Sequence, residues 1–224
     1  MVLEVIQREI PTRGIGYVIL RDCPEERLGE ALGKGMEKLK KAGAKQVWAT
    51  SLPEGEPLNP GPIGVWRLTH VYDDIRMECP LSQGHAKAEV KLNLRAPKRA
   101  QEENAYLDLV NKAYAAVPGA ATLRTGSLKK QNHRFFLASQ GDKPVGAFGL
   151  DLSDKTPELI TLAVAPEYQR QGLGRALLRA ALESLGKAPA CTLTVCSTNA
   201  PALGLLQSEG FAQTGVVSGW FEVV

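Results

Sequence analysis

The chain has 224 residues, of which 44% are hydrophobic and 23% are charged, and its formal net charge is +3. This composition is typical of one large or two small globular domains and excludes extended disorder. No apolar run reaches the roughly 18 residues of a membrane-spanning helix. Residues 1–4 also lack the basic and apolar pattern of a signal peptide. We therefore expect a cytoplasmic protein with no membrane partner.

Charge and cysteine patterns argue against two further classes of site. Residues 1–84 contain 11 basic and 12 acidic side chains, whereas residues 85–224 contain 16 and 12. This excess is too small for a nucleic-acid partner and better suits a small polyanionic ligand in the C-terminal part. The four cysteines form no CxxC pair, and no histidine has zinc-like spacing from them. We expect reduced, buried cysteines and no metal site.

The N-terminal part alternates strands with one long helix. Strand patterns occur at residues 2–10, 16–20 and 46–50. Residues 25–41 have the pattern of a helix that ends at Gly43. Residues 53–62 are rich in proline and glycine and are predicted to form a loop. Residues 65–68 and 75–79 are predicted to pair as a closing hairpin, and turn residues at 79–85 mark a domain boundary.

The C-terminal part has the stronger patterns and predicts a mixed α/β fold. Strands are predicted at residues 89–94, 134–139, 144–152, 158–165 and 191–196, with two closing strands up to residue 224. Helices are predicted at residues 101–114, 173–185 and 201–208. Residues 140–143 carry a hairpin signal. The nearly continuous apolar run at 158–165 is typical of a central strand, and it leads directly into the most regular helix.

The junction between that strand and that helix carries the chemistry. Residues 162–175 read LAVAPEYQRQGLGR. Gly172 and Gly174 let backbone N–H groups approach a ligand, and the helix N-terminus favours phosphate. Arg170, Arg175 and Arg179 add positive charge. Taken alone, the two glycines would also fit an ordinary turn into a helix.

Gln169, Gly172 and Gly174 resemble the acetyl-coenzyme A signature Q/R-x-x-G-x-G/A of the GNAT superfamily of N-acetyltransferases. The resemblance covers roughly residues 88–224. It continues at residues 162–166, Asn199, Ala202, Leu205 and residues 210–211. It implies a mostly antiparallel sheet flanked by helices. It also implies an enzyme that transfers an acetyl group directly from acetyl-CoA, its cosubstrate, to a primary amine.

The resemblance also implies which residues bind the cosubstrate. Backbone groups of residues 162–164 would bind the pantetheine arm, beside a bulge that splays this strand from its neighbour, and one N–H would serve as oxyanion donor. The following loop would hold the pyrophosphate, and Asn199 would hydrogen-bond to the CoA arm. The implied cofactor-binding residues are Leu162, Ala163, Val164, Gln169, Arg170, Gln171, Gly172, Leu173, Gly174, Arg175 and Asn199.

Two positions depart from the family pattern. Leu206 stands where members often carry a proton-donating tyrosine, and Thr194 stands where some carry a glutamate. General acid–base help is worth about 10²–10⁴-fold, but a thiolate with a pKa of about 8.5 can leave unprotonated. Glu158 is the candidate catalytic base, or else an exposed carboxylate at a strand start.

Three further side chains have structural interpretations. Tyr168 is predicted to anchor the loop, and Asn199 to cap the helix at 201–208. His133 is interpreted as a solvated turn residue, with a role as base as the alternative.

The N-terminal part resembles a degenerate copy of the C-terminal part. Residues 27–50 align without gaps on 172–195, and residues 64–78 align on 210–224. We expect a degenerate lobe at 1–80 and a catalytic lobe at 88–224. Arg27 replaces Gly172 in this alignment, beside Glu25 and Glu26, so the first lobe should not bind CoA.

Other functions stay open. The chain could be a non-catalytic acyl-CoA-binding or sensor protein, and the first lobe could serve homodimerisation or gate the acceptor. The acceptor is expected to be a small-molecule or peptide amine.

Overall fold

The structure is a computed structural model, and it describes residues 2–52, 58–81, 90 and 92–224. It confirms a mixed α/β fold with a large, mostly antiparallel sheet flanked by helices. The strands are β1 (Val2–Ile6), β2 (Ile15–Arg21), β3 (Gln46–Ser51), β4 (Gly61–Ile63), β5 (Trp66–Pro80), β6 (Asn93–Arg95), β7 (His133–Gln140), β8 (Lys143–Asp151), β9 (Glu158–Val164), β10 (Ala190–Cys196) and β11 (Ala212–Val223). The helices are α1 (Ile10–Arg13), α2 (Glu25–Lys41), α3 (Ala100–Ala113), α4 (Leu173–Ser184) and α5 (Ala200–Ser208).

The described residues divide into two compact units. The first comprises Met1–Ile75, Cys196–Thr198 and Gly215–Val224, and the second comprises Arg76–Val195 and Asn199–Thr214. In the first unit, β1 pairs antiparallel with β2, β2 pairs parallel with β3, and β3 pairs antiparallel with β11. The apolar face of α2 packs with the inward residues of these strands, because its leucines recur at helical spacing.

The opposite face of the first unit's strands carries aromatic side chains. Tyr17 and Trp48 are register partners on β2 and β3. Each contacts the next ring of a closed set of four that also includes Tyr72 and Trp220, with centroids 5.4–6.0 Å apart. All four side chains are buried. Aromatic packing therefore stabilises this face, while aliphatic packing with α2 stabilises the other.

The second unit contains the elements predicted most clearly. β7, β8 and β9 pair antiparallel, and β6 pairs with β7. The predicted hairpin is confirmed, since Gln140 and Lys143 are register partners. Helices α3 and α4 both contact β8 and β9. Tyr106 and Val110 of α3 join a buried cluster with Phe135 and Ala163.

Three predicted elements were wrong. The strand predicted at 2–10 ends at Ile6, because buried Glu9 and Pro11 begin the short helix α1, where Arg13 pairs with Glu9 at 3.8 Å. The closing hairpin of 65–68 and 75–79 is instead the continuous strand β5. The two closing strands up to residue 224 are likewise one strand, β11.

The polar residues in the middle of β5 explain the misread hairpin. Asp73 donates its N–H to the hydroxyl of Ser197 at 2.9 Å. Asp74 accepts from the Ser218 hydroxyl and the Trp220 indole N–H, each at 2.9 Å. These partners lie 124 to 146 residues away in the chain. Because the sequence does not show these bonds, two adjacent acids in a strand pattern were interpreted as a turn. The predicted loop at 53–62, boundary at 79–85 and strand at 89–94 lie partly outside the described residues.

Close packing of α4 on β8 should make Gly146 intolerant of substitution. A Cβ there would collide with Leu177 and lie 2.9 Å from the Ala163 carbonyl oxygen. We expect Gly146→Ala to lower the free energy of unfolding by about 1–3 kcal/mol, measured by urea denaturation. Gly204→Ala is the control, because a Cβ at that helical position meets nothing within 4 Å; it should be neutral or stabilising. Equal stability of the two variants would contradict this packing argument.

Candidate active site

Strand β9 is paired along its whole length on one side and at one position on the other. On the β8 side, Gly146–Asp151 pair with residues between Glu158 and Val164, with a register shift that leaves Ile160 unmatched. On the β10 side, within these fully described strands, the ladder has the single partner pair Glu158 and Thr192. β9 therefore presents an open edge beyond its first residue. The predicted bulge exists but lies at Ile160, before residues 162–164.

Backbone groups of Leu162 and Val164 lie along this open edge. The Tyr114 hydroxyl accepts from the Leu162 N–H at 3.0 Å and donates to the Leu162 carbonyl at 3.1 Å. Val164 has the same orientation two residues further on, and its carbonyl accepts from the Gln169 side-chain amide at 3.2 Å. Ala163 alternates with them and pairs towards β8. Of the three predicted strand residues, two thus turn their polar backbone to the edge.

A tight loop links β9 to α4. A short 3₁₀ turn at Pro166–Tyr168 opens it. Tyr168 is half-buried against the α3 cluster, which confirms that it anchors the loop. Arg170 and Gly172 both have left-handed backbone conformations, with φ of 62° and 79°. Such a turn brings successive N–H groups round to one side and leads the chain sharply into the helix.

The N-terminus of α4 has unpaired amide groups. Its first backbone hydrogen bond runs from the Ala176 N–H to the Gly172 carbonyl at 3.1 Å, and no described side chain caps it. The amides of residues 173–175 therefore have no intrahelical acceptor, which favours an anion at this end. Leu173 itself is buried. A Cβ on Gly174 would lie 3.3 Å from Leu205 and 3.8 Å from Val164, so this glycine also lets the helix start pack closely.

Two of the three expected arginines are engaged elsewhere. Arg175 and Arg179 both pair with the buried carboxylate of Glu209, each with an Nε–O distance of 2.8 Å. Arg179 adds a second bond at 3.0 Å, and Arg175 also donates to the Ser208 hydroxyl. The exposed Arg170 lies in the loop itself. Glu209 thus offsets part of the charge of these two side chains, which leaves Arg170 and the backbone amides as the positive groups of the loop itself.

Two predictions concern helix α5: that Asn199 caps it, and that Leu206 stands where related enzymes often carry a tyrosine. The Asn199 side chain accepts from the Ala202 N–H at 3.3 Å, so it is the N-cap of α5. Leu206 is 3% exposed. Its side chain belongs to the core, which is consistent with a position that carries no reactive hydroxyl.

Glu158 begins β9 in a polar row that crosses three strands. His133, Asp151 and Glu158 are successive register partners on β7, β8 and β9. Glu158 is partly exposed and accepts from the Thr194 hydroxyl at 3.5 Å.

The interpretation of His133 as a solvated turn residue was wrong. His133 lies in β7, its side chain is 11% exposed, and its Nε2 is 3.0 Å from Asp151. Hydrogen bonds from Ser153, together with His133, hold the pKa of Asp151 below its usual value.

Tyr114 is the residue that sequence reasoning missed. It is the C-cap of α3, and its N–H bonds to the Val110 carbonyl. No local motif marks it, because its partner Leu162 lies 48 residues away. The one available signal was its place at the end of the predicted helix at 101–114, where a large polar-tipped side chain leaves the helix.

The remaining reactive side chains do not form a second site. All four cysteines are buried and unbridged, as predicted. Burial raises the pKa of Cys191 to about 12, which makes its thiol a weak nucleophile. Among the described residues, no group of three potential ligands could hold a metal ion, and no helix is long and apolar enough to cross a membrane.

Comparison with known proteins identifies the family of this chain. Residues 98–211, about half of the chain, match the acetyltransferase (GNAT) family. The chain belongs to the GNAT acetyltransferase family.

Two curated relatives match parts of the chain. It is 42% identical over 65 residues to the ribosomal protein bS18-alanine N-acetyltransferase of Escherichia coli K12, covering 28% of this chain and 44% of that protein. It is 32% identical over 154 residues to mycothiol acetyltransferase of Nocardiopsis dassonvillei, covering 60% of this chain and 47% of that protein. The chain thus spans less than half the length of these curated relatives.

Solved structures share the fold over most of the chain. A GCN5-related N-acetyltransferase from Sphaerobacter thermophilus superposes with a TM-score of 0.59 and 14% identity, covering 99% of this chain and 74% of that one. A tandem GNAT protein from the clavulanic acid biosynthesis pathway gives 0.55 and 16%, covering 94% and 75%. At these identities the likeness is one of fold.

The shared carboxylate of Glu209 should stabilise the GNAT domain. Removing its charge leaves two guanidinium groups without their partner. We expect Glu209→Gln to lower the free energy of unfolding by about 1–3 kcal/mol, with Arg175 contributing the smaller part because it is half exposed. Glu183→Gln on the exposed face of α4 should change it by less than about 0.5 kcal/mol. Urea denaturation of the two variants and the wild type measures this, and equal midpoints would refute the role of the pair.

Proposed function

We propose that the protein transfers an acetyl group from acetyl-CoA to a primary amine. The open edge of β9 beyond Glu158 carries this proposal. We place an extended pantetheine arm along this edge. The Val164 N–H faces it, while in the absence of the arm the Leu162 backbone bonds to Tyr114 and the Val164 carbonyl bonds to Gln169. The pyrophosphate would then reach the loop from Arg170 to Arg175, where the α4 amides favour an anion. The likeness to enzymes that acetylate an alanine residue or act in mycothiol acetylation supports the reaction class.

Most of the predicted site residues have a place in this proposal; Ala163, which pairs towards β8, has none. Leu162, Val164 and Asn199 flank the arm. Gln169 holds the Val164 carbonyl and so fixes the loop, while Gln171 bonds to the Glu167 carbonyl at 3.4 Å. Leu173 and Gly174 seat the helix start through packing.

The chemistry requires an unprotonated amine. Its nitrogen attacks the thioester carbonyl carbon, the carbon–sulfur bond then breaks, and the amide and CoA thiol are the products. Glu158 would accept the amine proton, directly or through water, because it is the partly exposed carboxylate at the start of β9. The alternative, a role as a strand-start carboxylate that holds Thr194, is tested below.

We further propose that residues 1–80 form a degenerate lobe that binds no CoA. At the start of α2, Arg27 pairs with Glu30 at 3.8 Å, and the first turn carries Glu25 and Glu26. The turn at Gly64 lies near the second turn of this helix, since a Cβ on Gly29 would lie 4.0 Å from the Gly64 Cα. Acids in the exposed first turn disfavour a pyrophosphate. Such a lobe could serve homodimerisation or gate the access of the acceptor.

Two substitutions of Gly174, one charged and one neutral, should separate electrostatic from steric effects on CoA binding. Gly174→Asp places a carboxylate where amides would meet phosphate, and Gly174→Asn has the same shape without the charge. We expect the Asp variant to bind CoA at least about tenfold more weakly than the Asn variant. Isothermal calorimetry measures both affinities, with one CoA per chain in the wild type. Equal affinities in folded variants would contradict the proposed site. A stoichiometry near two CoA per wild-type chain would instead mean that the N-terminal lobe also binds CoA.

An acyl-CoA sensor is the second candidate function, motivated by Leu206. Thiol release from acetyl-CoA across a panel of amines separates it from an enzyme. Binding without amine-dependent thiol release would favour the sensor.

Loss of the Glu158 charge should affect turnover in a pH-dependent way. Glu158→Gln keeps the shape but removes the base, so we expect kcat to fall by about 10²–10⁴-fold at neutral pH. Activity should recover partly as pH rises, because the amine then loses its proton in solution. The control is Glu183→Gln. A wild-type pH–rate profile in Glu158→Gln would assign this residue to the strand alone.

A further inference from the structure

The Tyr114 hydroxyl occupies the one point on the open edge of β9 where a backbone N–H and a backbone carbonyl are both already engaged. It accepts from the Leu162 N–H and donates to the Leu162 carbonyl. A strand edge within a protein usually bonds to another strand, so a side-chain hydroxyl in this place is a specific feature of the site. It puts a second donor within 3.0 Å of the Leu162 nitrogen.

We propose that Tyr114 is a catalytic residue that donates a hydrogen bond to the acyl oxygen of the bound thioester. This inference rests on the proposed function. Both hydrogen bonds between Tyr114 and Leu162 would open when the arm binds. The Tyr114 O–H would turn from the Leu162 carbonyl to the acyl oxygen, and the Leu162 N–H would leave the Tyr114 oxygen for the same atom. The two donors would then stabilise the oxyanion formed on attack by the amine. Two converging donors are the usual composition of an oxyanion hole.

The hydroxyl is held for this role before any substrate binds. Tyr114 caps α3, and its half-buried ring packs against the α3 cluster. The segment after it is clamped, because the Asn111 side chain donates to the Leu123 carbonyl at 2.9 Å and accepts from the Leu123 N–H at 2.8 Å. A donor fixed in advance needs little reorganisation when charge develops.

Proton transfer to the departing sulfur is a less suitable role. Burial raises the pKa of Tyr114 above its ordinary value near 10, in spite of the bond from the Leu162 backbone. A thiolate has a pKa of about 8.5, so protonation by this phenol is unfavourable by at least about 30-fold. The oxyanion is the stronger base, and it gains more from a neutral donor. Because Tyr114 stays protonated throughout, every proton released by the amine leaves through the base.

The test combines kinetics with a spectroscopic signature that needs no acceptor. Acetyl-CoA labelled with ¹³C at the acetyl carbonyl is bound to the full-length protein, and the carbonyl stretching frequency is recorded by difference infrared spectroscopy. In the wild type, we expect a frequency below that of free acetyl-CoA. In Tyr114→Phe, we expect it to move back towards the free value, kcat to fall by about 10²–10³-fold, and the Kd for CoA to change by less than about threefold.

Two controls separate this role from a structural one. Tyr106→Phe removes the hydroxyl of the other buried tyrosine on α3 and should leave frequency and kcat unchanged. Replacement of Tyr114 by 3,5-difluorotyrosine keeps the shape and gives a stronger donor with a lower pKa. We expect a further lowering of the frequency and an alkaline limb of kcat at lower pH, even if Tyr114→Phe fails to fold.

Each remaining outcome overturns the assignment. An unchanged carbonyl frequency in both Tyr114 variants would mean that the hydroxyl does not reach the acyl oxygen. Tighter CoA binding with undiminished kcat in Tyr114→Phe would mean that the tyrosine only fills the strand edge until the arm displaces it. A wild type that binds no acetyl-CoA would refute the proposed function itself, which is distinguishable from bound acetyl-CoA with an unperturbed carbonyl.

Discussion

The departure of β9 from β10 after the Glu158–Thr192 pair is the constraint on which the candidate site depends. Backbone N–H and carbonyl groups inside a protein need partners, so a strand that loses its neighbour must find others or offer the edge to a ligand. Here Tyr114 and Gln169 each satisfy part of the edge. The edge of β9 is thus lined by polar groups that are held in place, and we propose that an extended molecule binds along it.

Packing around α4 fixes this edge relative to the helix start where we propose that phosphate binds. Gly146 lets Leu177 approach β8, and Gly174 lets the first turn approach Val164 and Leu205. Glu209 then ties the outer face of α4 to the end of α5 through Arg175 and Arg179. Two arginines that look like phosphate ligands in the sequence thus hold two helices together, and Arg170 and the helix amides are the groups that we propose attract phosphate.

The first unit shows how similar local patterns serve different purposes. Its helix α2 also follows a turn and lies between two parallel strands, but its exposed first turn carries Glu25 and Glu26. Its buried aromatic set and the bonds of Asp74 to Ser218 and Trp220 stabilise packing across long strands. The segments 64–78 and 210–224, each predicted to form a hairpin, fall on single long strands, β5 and β11.

The sequence by itself determined the order of most elements, the hairpin at residues 140–143, the N-cap Asn199 and the glycine-marked loop, because each depends on interactions between near neighbours in the chain. It also indicated the family through residues 162–174. Only the tertiary structure decided that β5 runs unbroken through Asp73 and Asp74, that Arg175 and Arg179 face Glu209, that His133 pairs with Asp151, and that Tyr114 reaches Leu162. Each of these depends on a partner tens of residues away, and hydrophobic periodicity carries no information about which distant polar groups will meet.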